Sequence, residues 1–447
     1  MKKVFLWVLV ILMIAVFSLA GCKEEAAVEE EAAVEEEAVV EEEVIEPVET
    51  ETIIYYMWDD PTHQDIIDTF NASQDEVFVD AQTIAAADYD TKLQALLAGG
   101  GEMDAFMVKT PVHIFPMIEN GYIEPLDDMI AEHGFDFSSM SGYESAYKID
   151  GIVYNIPFTG ASWYTIYNKK VFENAGVPTP DTYVENGEWT YAKFVEVAKQ
   201  MSTGDGEIYG GLMYTWAPCQ VIPAIQRGVQ FISKEGEVEI DDSVIYSFKM
   251  RKELEEAKAI YTQAELKATG THYTQAFWKG NLAMLIIGEW FGGQMLSARD
   301  EGLLEGYTWD DWALTRLPCD ESDYRTIGVP TFNVVHADSE KKDAAFKFIS
   351  WMGSPEGATV VAKAGILPAS ISPEVEEALS TVFPDEKSLE YFIEDRIIMP
   401  QWFNKYGTLI ESGITPWMEE YLSRDMSDDE LESFLIEKLQ ECITVAE

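Results

Sequence analysis

The sequence predicts an α/β protein with a mainly parallel sheet, and three observations predict it. From residue 52 onward, short runs rich in β-branched and aromatic residues alternate with helix-length segments. Those runs end at Asp, Pro and Gly clusters, the residues that stop strands and start helices. Further along, Gln275–Met295 breaks at Lys279-Gly280, runs apolar from Leu282 to Ile287, and ends in Gly288-Glu289-Trp290-Phe291-Gly292-Gly293. The apolar run is short and bounded by glycines, so it reads as a buried strand, although periodicity alone also fits a buried helix. An acid and two aromatics just beyond a strand end offer flat apolar surface beside a hydrogen-bonding group, where ligands of α/β sheets gather. Taken alone, the stretch fits equally a turn whose Trp290 and Phe291 fill core.

Taken in order, the chain begins with an address. Lys2 and Lys3 precede the apolar run Val4–Phe17, and Leu19-Ala20-Gly21-Cys22 follows. The run is too short for a comfortable membrane span and reads as an export signal. The tetrad resembles the lipobox of bacterial lipoproteins, which implies cleavage before Cys22, acylation of its thiol, and tethering outside the cytoplasmic membrane. Residues 23–51 form an acidic linker, with 14 glutamates between residues 24 and 51 in a period of six that matches neither a heptad nor a straight helix. Self-repulsion is expected to keep it extended as a spacer, about 100 Å long at most.

With 447 residues the chain has room for two or three domains, and 47% hydrophobic content rules out wholesale disorder. The net charge of −51 excludes nucleic acid as a partner, because phosphates would be repelled. Beyond residue 51 there remain 67 acidic against 27 basic side chains, so the folded part is itself strongly acidic. Cys219, Cys319 and Cys442 cannot all pair with one another; one bridge, Cys219 to Cys319, is conceivable, and three free thiols are the expectation.

The folded part opens with the strand Thr52–Trp58. Asp59-Asp60-Pro61 ends it and starts a helix through Phe70, with proline in the first turn. A strand at Val77–Val79, a helix at Tyr89–Ala98 stopped by Gly99-Gly100-Gly101, and a strand at Asp104–Val108 complete the pattern, followed by a helix over about 111–119. Asp150-Gly151 between alternating residues predicts a two-residue hairpin. Helices follow at 171–175 and about 190–201.

The order of Asp150-Gly151, Ile156-Pro157, Tyr167-Asn168-Lys169, Ala175-Gly176 and Glu188-Trp189-Thr190 resembles the maltose-binding-protein-like solute receptors of bacterial ABC importers. Phe277, Gly280, Ala283-Met284 and Gly288-Glu289-Trp290 agree, as do Ala344–Ile349, Ser354-Pro355-Glu356-Gly357 and Gly365-Ile366-Leu367-Pro368. The resemblance runs through residues 52–440 in order. It implies two α/β lobes joined by a hinge, with the ligand in the cleft between them. Lobe one would comprise 52–160 with 309–335, and lobe two 161–308 with 336–447. The hinge would include Phe158–Ser162 and a return near Val335. It further implies a monomer that closes on its ligand and docks on separate permease subunits.

Position and chemistry then nominate the residues that touch the ligand. Trp58, Asp59 and Asp60 end the first strand, where an aspartate serves equally as a helix cap. Lys109 and Thr110 follow the third strand; Trp163 and Tyr164 sit at the lobe crossing. Tyr214 and Trp216 resemble the family's second-lobe stacking segment, and Glu289, Trp290 and Phe291 close the set. Aromatic platforms suit the apolar faces of sugar rings, with a few polar groups fixing orientation. The absence of an arginine cluster among these residues leans towards a neutral oligosaccharide. No GxSxG, Walker loop, HExxH or EF-hand pattern occurs, and His63, His113, His133, His272 and His336 lack ligand spacing, so neither a cofactor nor a metal is expected. A non-sugar solute, such as a polyamine, peptide or metal chelate, and a lipid-anchored carbohydrate-active enzyme stand as alternatives.

Overall fold

The computed structural model describes residues 50–140 and 142–446. The export signal, Cys22 and the glutamate-rich stretch up to residue 49 lie outside the described residues. Two sheets organise the rest. The first runs Val77–Ile84, Glu51–Trp58, Ala105–Val108, Phe332–Val335, Ile156–Pro157 in spatial order. Its first three strands are parallel and the last two pairings antiparallel. Ile53, Tyr55 and Met57 alternate inward along the opening strand, as a half-buried strand of period two should.

The second sheet runs Trp312–Arg316, Trp163–Asn168, Met284–Gly288, Leu212–Met213. It departs from the parallel expectation, since two of its three pairings are antiparallel. Met284–Gly288 is buried along its whole length, which accounts for the unbroken apolar run of the sequence.

The lobe boundaries also differ from those expected. Residues 309–335 are not all in lobe one, because Trp312–Arg316 is the outer strand of the second sheet. Nor does all of 336–447 belong to lobe two. The helix Lys342–Gly353 buries Ala345, Phe348, Ile349 and Met352 in the core that also holds Ile53 and Tyr55. Its apolar stripe is plain in the sequence, but a stripe does not say which sheet it covers. The acidic linker ends one residue early, since Glu51 is already in the first strand.

Three segments cross between the lobes. Thr331 carbonyl accepts from the Phe158 amide at 3.0 Å, and the Gly160 amide donates to Leu367 carbonyl at 2.6 Å. The chain leaves the second sheet after Arg316 and enters the first at Phe332, and residues 367–369 bond to the same Phe158–Gly160 segment. The Asp150-Gly151 hairpin is present, with φ of 50° and 88° at its two turn residues. Cys219, Cys319 and Cys442 are all free.

Candidate ligand-binding site

The site is built from the end of the strand Met284–Gly288. The helix Phe291–Glu301 starts immediately afterwards, so only Glu289 and Trp290 form the connection, and Gly292 and Gly293 are helical rather than part of a loop. The Trp290 ring folds back over the strand end. A Cβ on Gly288 would lie 2.1 Å from the ring, so only glycine permits this arrangement.

Other rings gather around it. Trp163 meets Trp290 edge-on at 5.7 Å, and Trp216 lies 6.0 Å from Trp290. Tyr214 stands 5.2 Å from both Trp216 and Tyr273, and Tyr273 lies 5.3 Å from Trp216. Such offset and edge-to-face contacts add about 0.5–1.5 kcal/mol each beyond burial. Trp216 is 38% exposed and Trp290 half-buried, while Trp163, at 4%, backs Trp290 from behind.

The first lobe contributes groups of a different kind. Trp58 is half-buried, edge-on to His63 at 4.5 Å. Burial holds the His63 imidazole below its usual pKa, with the Asp60 charge opposing. Asp60 caps the helix Pro61–Ser73, accepting from the Thr62 amide at 3.0 Å and its hydroxyl at 2.7 Å. Asp59 accepts from the Ala86 amide at 2.5 Å, Lys109 donates to the Ala86 carbonyl, and Thr110 donates to Asp90 at 2.7 Å. Burial lowers the pKa of Lys109, offset in part by Asp90 and Asp59. The Tyr273 phenol of lobe two is held above its usual range, by burial first, with the Asp60 negative charge of lobe one adding to it.

Two candidates face elsewhere. Tyr164 is 1% exposed, stacks on Phe392 and donates to the Phe392 carbonyl at 2.7 Å. Neighbouring strand residues point to opposite faces, so Trp163 and Tyr164 cannot both line one surface. Phe291 is fully buried against Phe277 at 5.4 Å and belongs to the core. Glu289 is also buried, beside the crossing segment at Thr159. Burial lifts its pKa from 4.5 to about 8, against the opposing effects of two backbone amides, Arg396 and Thr159. At neutral pH it therefore holds a proton and can donate it to a hydrogen bond.

Sequence reasoning missed Tyr273, whose hydroxyl accepts from Trp290 Nε1, and Gln294, whose side-chain amide donates to the same hydroxyl. The available signal was the spacing of Gln294 four residues after Trp290, one helical turn on. A separate cavity of about 180 Å³, next to Tyr191, Gln226 and Tyr246, shares no residue with this cluster. Among the described residues no group of three His, Cys, Asp or Glu is arranged to hold a metal, and no helix is long and apolar enough to cross a membrane.

Residues 50–359 match the family described as bacterial extracellular solute-binding protein. The chain belongs to that family. A curated relative, the arabinooligosaccharide-binding protein of Halalkalibacterium halodurans, is 24% identical over 316 residues, 65% of this chain. The match spans 64% of that relative's length. A sugar transporter protein of Rhizobium etli, solved in an open conformation, superposes with a TM-score of 0.71 at 25% identity, over 88% of this chain and 99% of its own. An ABC substrate-binding protein of Listeria monocytogenes, solved with cycloalternan, gives a TM-score of 0.74 at 24% identity, over 89% of this chain and 100% of its own. The two-lobe α/β fold is thus that of the solute-binding proteins, and the aromatic cluster lies at a strand end of the second lobe.

Proposed function

We propose that this solute-binding protein captures an extracellular carbohydrate, a neutral oligosaccharide, between its lobes and delivers it to the permease of an ABC importer without altering it. The observation that carries the reading is the cluster of Trp290, Trp216, Tyr214 and Tyr273 at the end of the strand Met284–Gly288. Indole and phenol rings supply flat apolar faces for sugar C–H groups, and a small number of polar groups sets orientation. The relatives named for arabinooligosaccharide and cycloalternan point to the same ligand class. Closure of the lobes on the sugar, by bending at the three crossings, would create the form the permease recognises. Acylation at Cys22, with residues 23–51 as spacer, would keep the monomer at the outer face of the membrane.

A thermal-shift panel tests this reading. A ligand at 100 times its dissociation constant stabilises the folded state by about 2.7 kcal/mol. Mono- and oligosaccharides are expected to raise the melting temperature and to be recovered unchanged after incubation. A flat response to sugars with a shift from polyamines or amino acids would overturn the sugar assignment, and sugar cleavage would overturn the transport role.

A further inference from the structure

We propose that Tyr273 is the positioning residue of the binding platform: its hydroxyl fixes the orientation of the Trp290 ring that the sugar stacks on. The proposal rests on the reading of Trp290 as a ligand platform. Tyr273 opens the short helix Tyr273–Trp278 and is 2% exposed. Its hydroxyl oxygen accepts two N–H bonds, from Trp290 Nε1 at 3.0 Å and Gln294 Nε2 at 2.9 Å. A phenol oxygen accepts as well as donates, so it can serve both N–H groups.

The indole has a single polar atom, and it is a donor only. Left half-buried without a partner it would be costly, so the ring is stable only where Nε1 meets an acceptor. Tyr273 supplies that acceptor from a different helix. Gln294, one turn beyond Trp290, holds the phenol from the other side. Gly288 leaves the space into which the ring folds, and Trp163 closes it from behind. A ring turned over about its Cβ–Cγ bond would keep much of the packing but lose the bond to Tyr273. The hydroxyl therefore selects one of two ring faces. Burial holds the Tyr273 phenol above its usual range, so it remains an O–H throughout the physiological span.

The test uses the full chain and reads Trp290 directly, by hydrogen exchange of the indole N–H in nitrogen-15 spectra, with the resonance assigned from Trp290→Phe. In the unaltered protein the Trp290 N–H is expected to exchange at least tenfold more slowly than that of the exposed Trp216. Equal rates would overturn the proposal without any variant. Tyr273→Phe keeps the ring and removes the acceptor. It is expected to accelerate Trp290 exchange about tenfold, shift the resonance, and weaken binding of the probes maltotriose or arabinotriose about tenfold, with the fold retained and the melting temperature lowered by a few degrees. Wild-type exchange and resonance in Tyr273→Phe would overturn the positioning role. If Trp290→Ala binds the same probes normally, the platform reading fails instead, whatever Tyr273 does.

Discussion

The candidate residues of the two lobes are built on opposite principles. In lobe two most of the residues gathered are rings that brace one another: Trp163, Trp216, Tyr214, Tyr273 and Trp290 form a continuous chain of edge and tilted contacts. In lobe one the candidates other than Trp58 are polar, and each is already tied to its own lobe. Asp59 and Lys109 hold the backbone at Ala86, Asp60 caps a helix, and Thr110 bonds Asp90. A polar group with a partner gains little by exchanging it for a ligand hydroxyl, whereas a braced apolar face gains whenever water leaves it. Affinity should therefore reside in the aromatic wall, with the polar wall setting orientation and closure.

The sharpest way to break this comparison is to truncate one ring on each side. Trp290→Ala should cost about 3 kcal/mol of binding, a hundredfold or more, with folding retained. Trp58→Ala should cost about 1.4 kcal/mol, a tenfold loss. Calorimetric titration with the sugar selected by the thermal panel measures both. Equal losses would mean that lobe one contributes as a platform in its own right. If Trp290→Ala unfolds the protein, the ring is core and not platform.

An effect of similar size to that of Trp290→Ala, on stability rather than binding, concerns Glu289. Burial raises its folded pKa from 4.5 to about 8. The stability this contributes is complete below the unfolded value and is lost as pH rises through about 8. Relative to Glu289→Gln, which carries no titrating proton there, the parent protein should lose on the order of 3 kcal/mol between pH 5 and pH 8. Denaturant titrations at several pH values measure the difference. Parallel pH profiles for the two proteins would show that Glu289 is ionised in the fold.

The smallest effect belongs to Asp60. Asp60→Ala removes the cap of Pro61–Ser73 and should cost about 1 kcal/mol of stability, read as a lower denaturation midpoint. Sugar affinity should fall less than for Trp58→Ala. A larger loss of affinity than of stability would move Asp60 from structural cap to ligand contact and narrow the contrast between the walls.

How much of this was legible beforehand varies from element to element. The strand Glu51–Trp58, the helix start at Pro61 and the Asp150-Gly151 hairpin are written in local chemistry, because turn residues and period-two alternation act over a few positions. Lobe membership is not. Trp312–Arg316 and Phe332–Val335 are both short apolar strands, yet they join different sheets. The Trp163-Tyr164 pair shows the same limit. Alternation guarantees that one ring faces away, but only the pairing of their strand decides which.

By itself the sequence determined the strand and helix chemistry, the acidic charge and the family pattern, since these depend on residue type and spacing along the chain. Tertiary structure alone decided that Tyr164 and Phe291 are core, that Glu289 is buried with its pKa raised, and that Tyr273 meets Trp290. Burial, and hydrogen bonds between residues 17 positions apart, arise only when separate elements pack, and no local pattern encodes them.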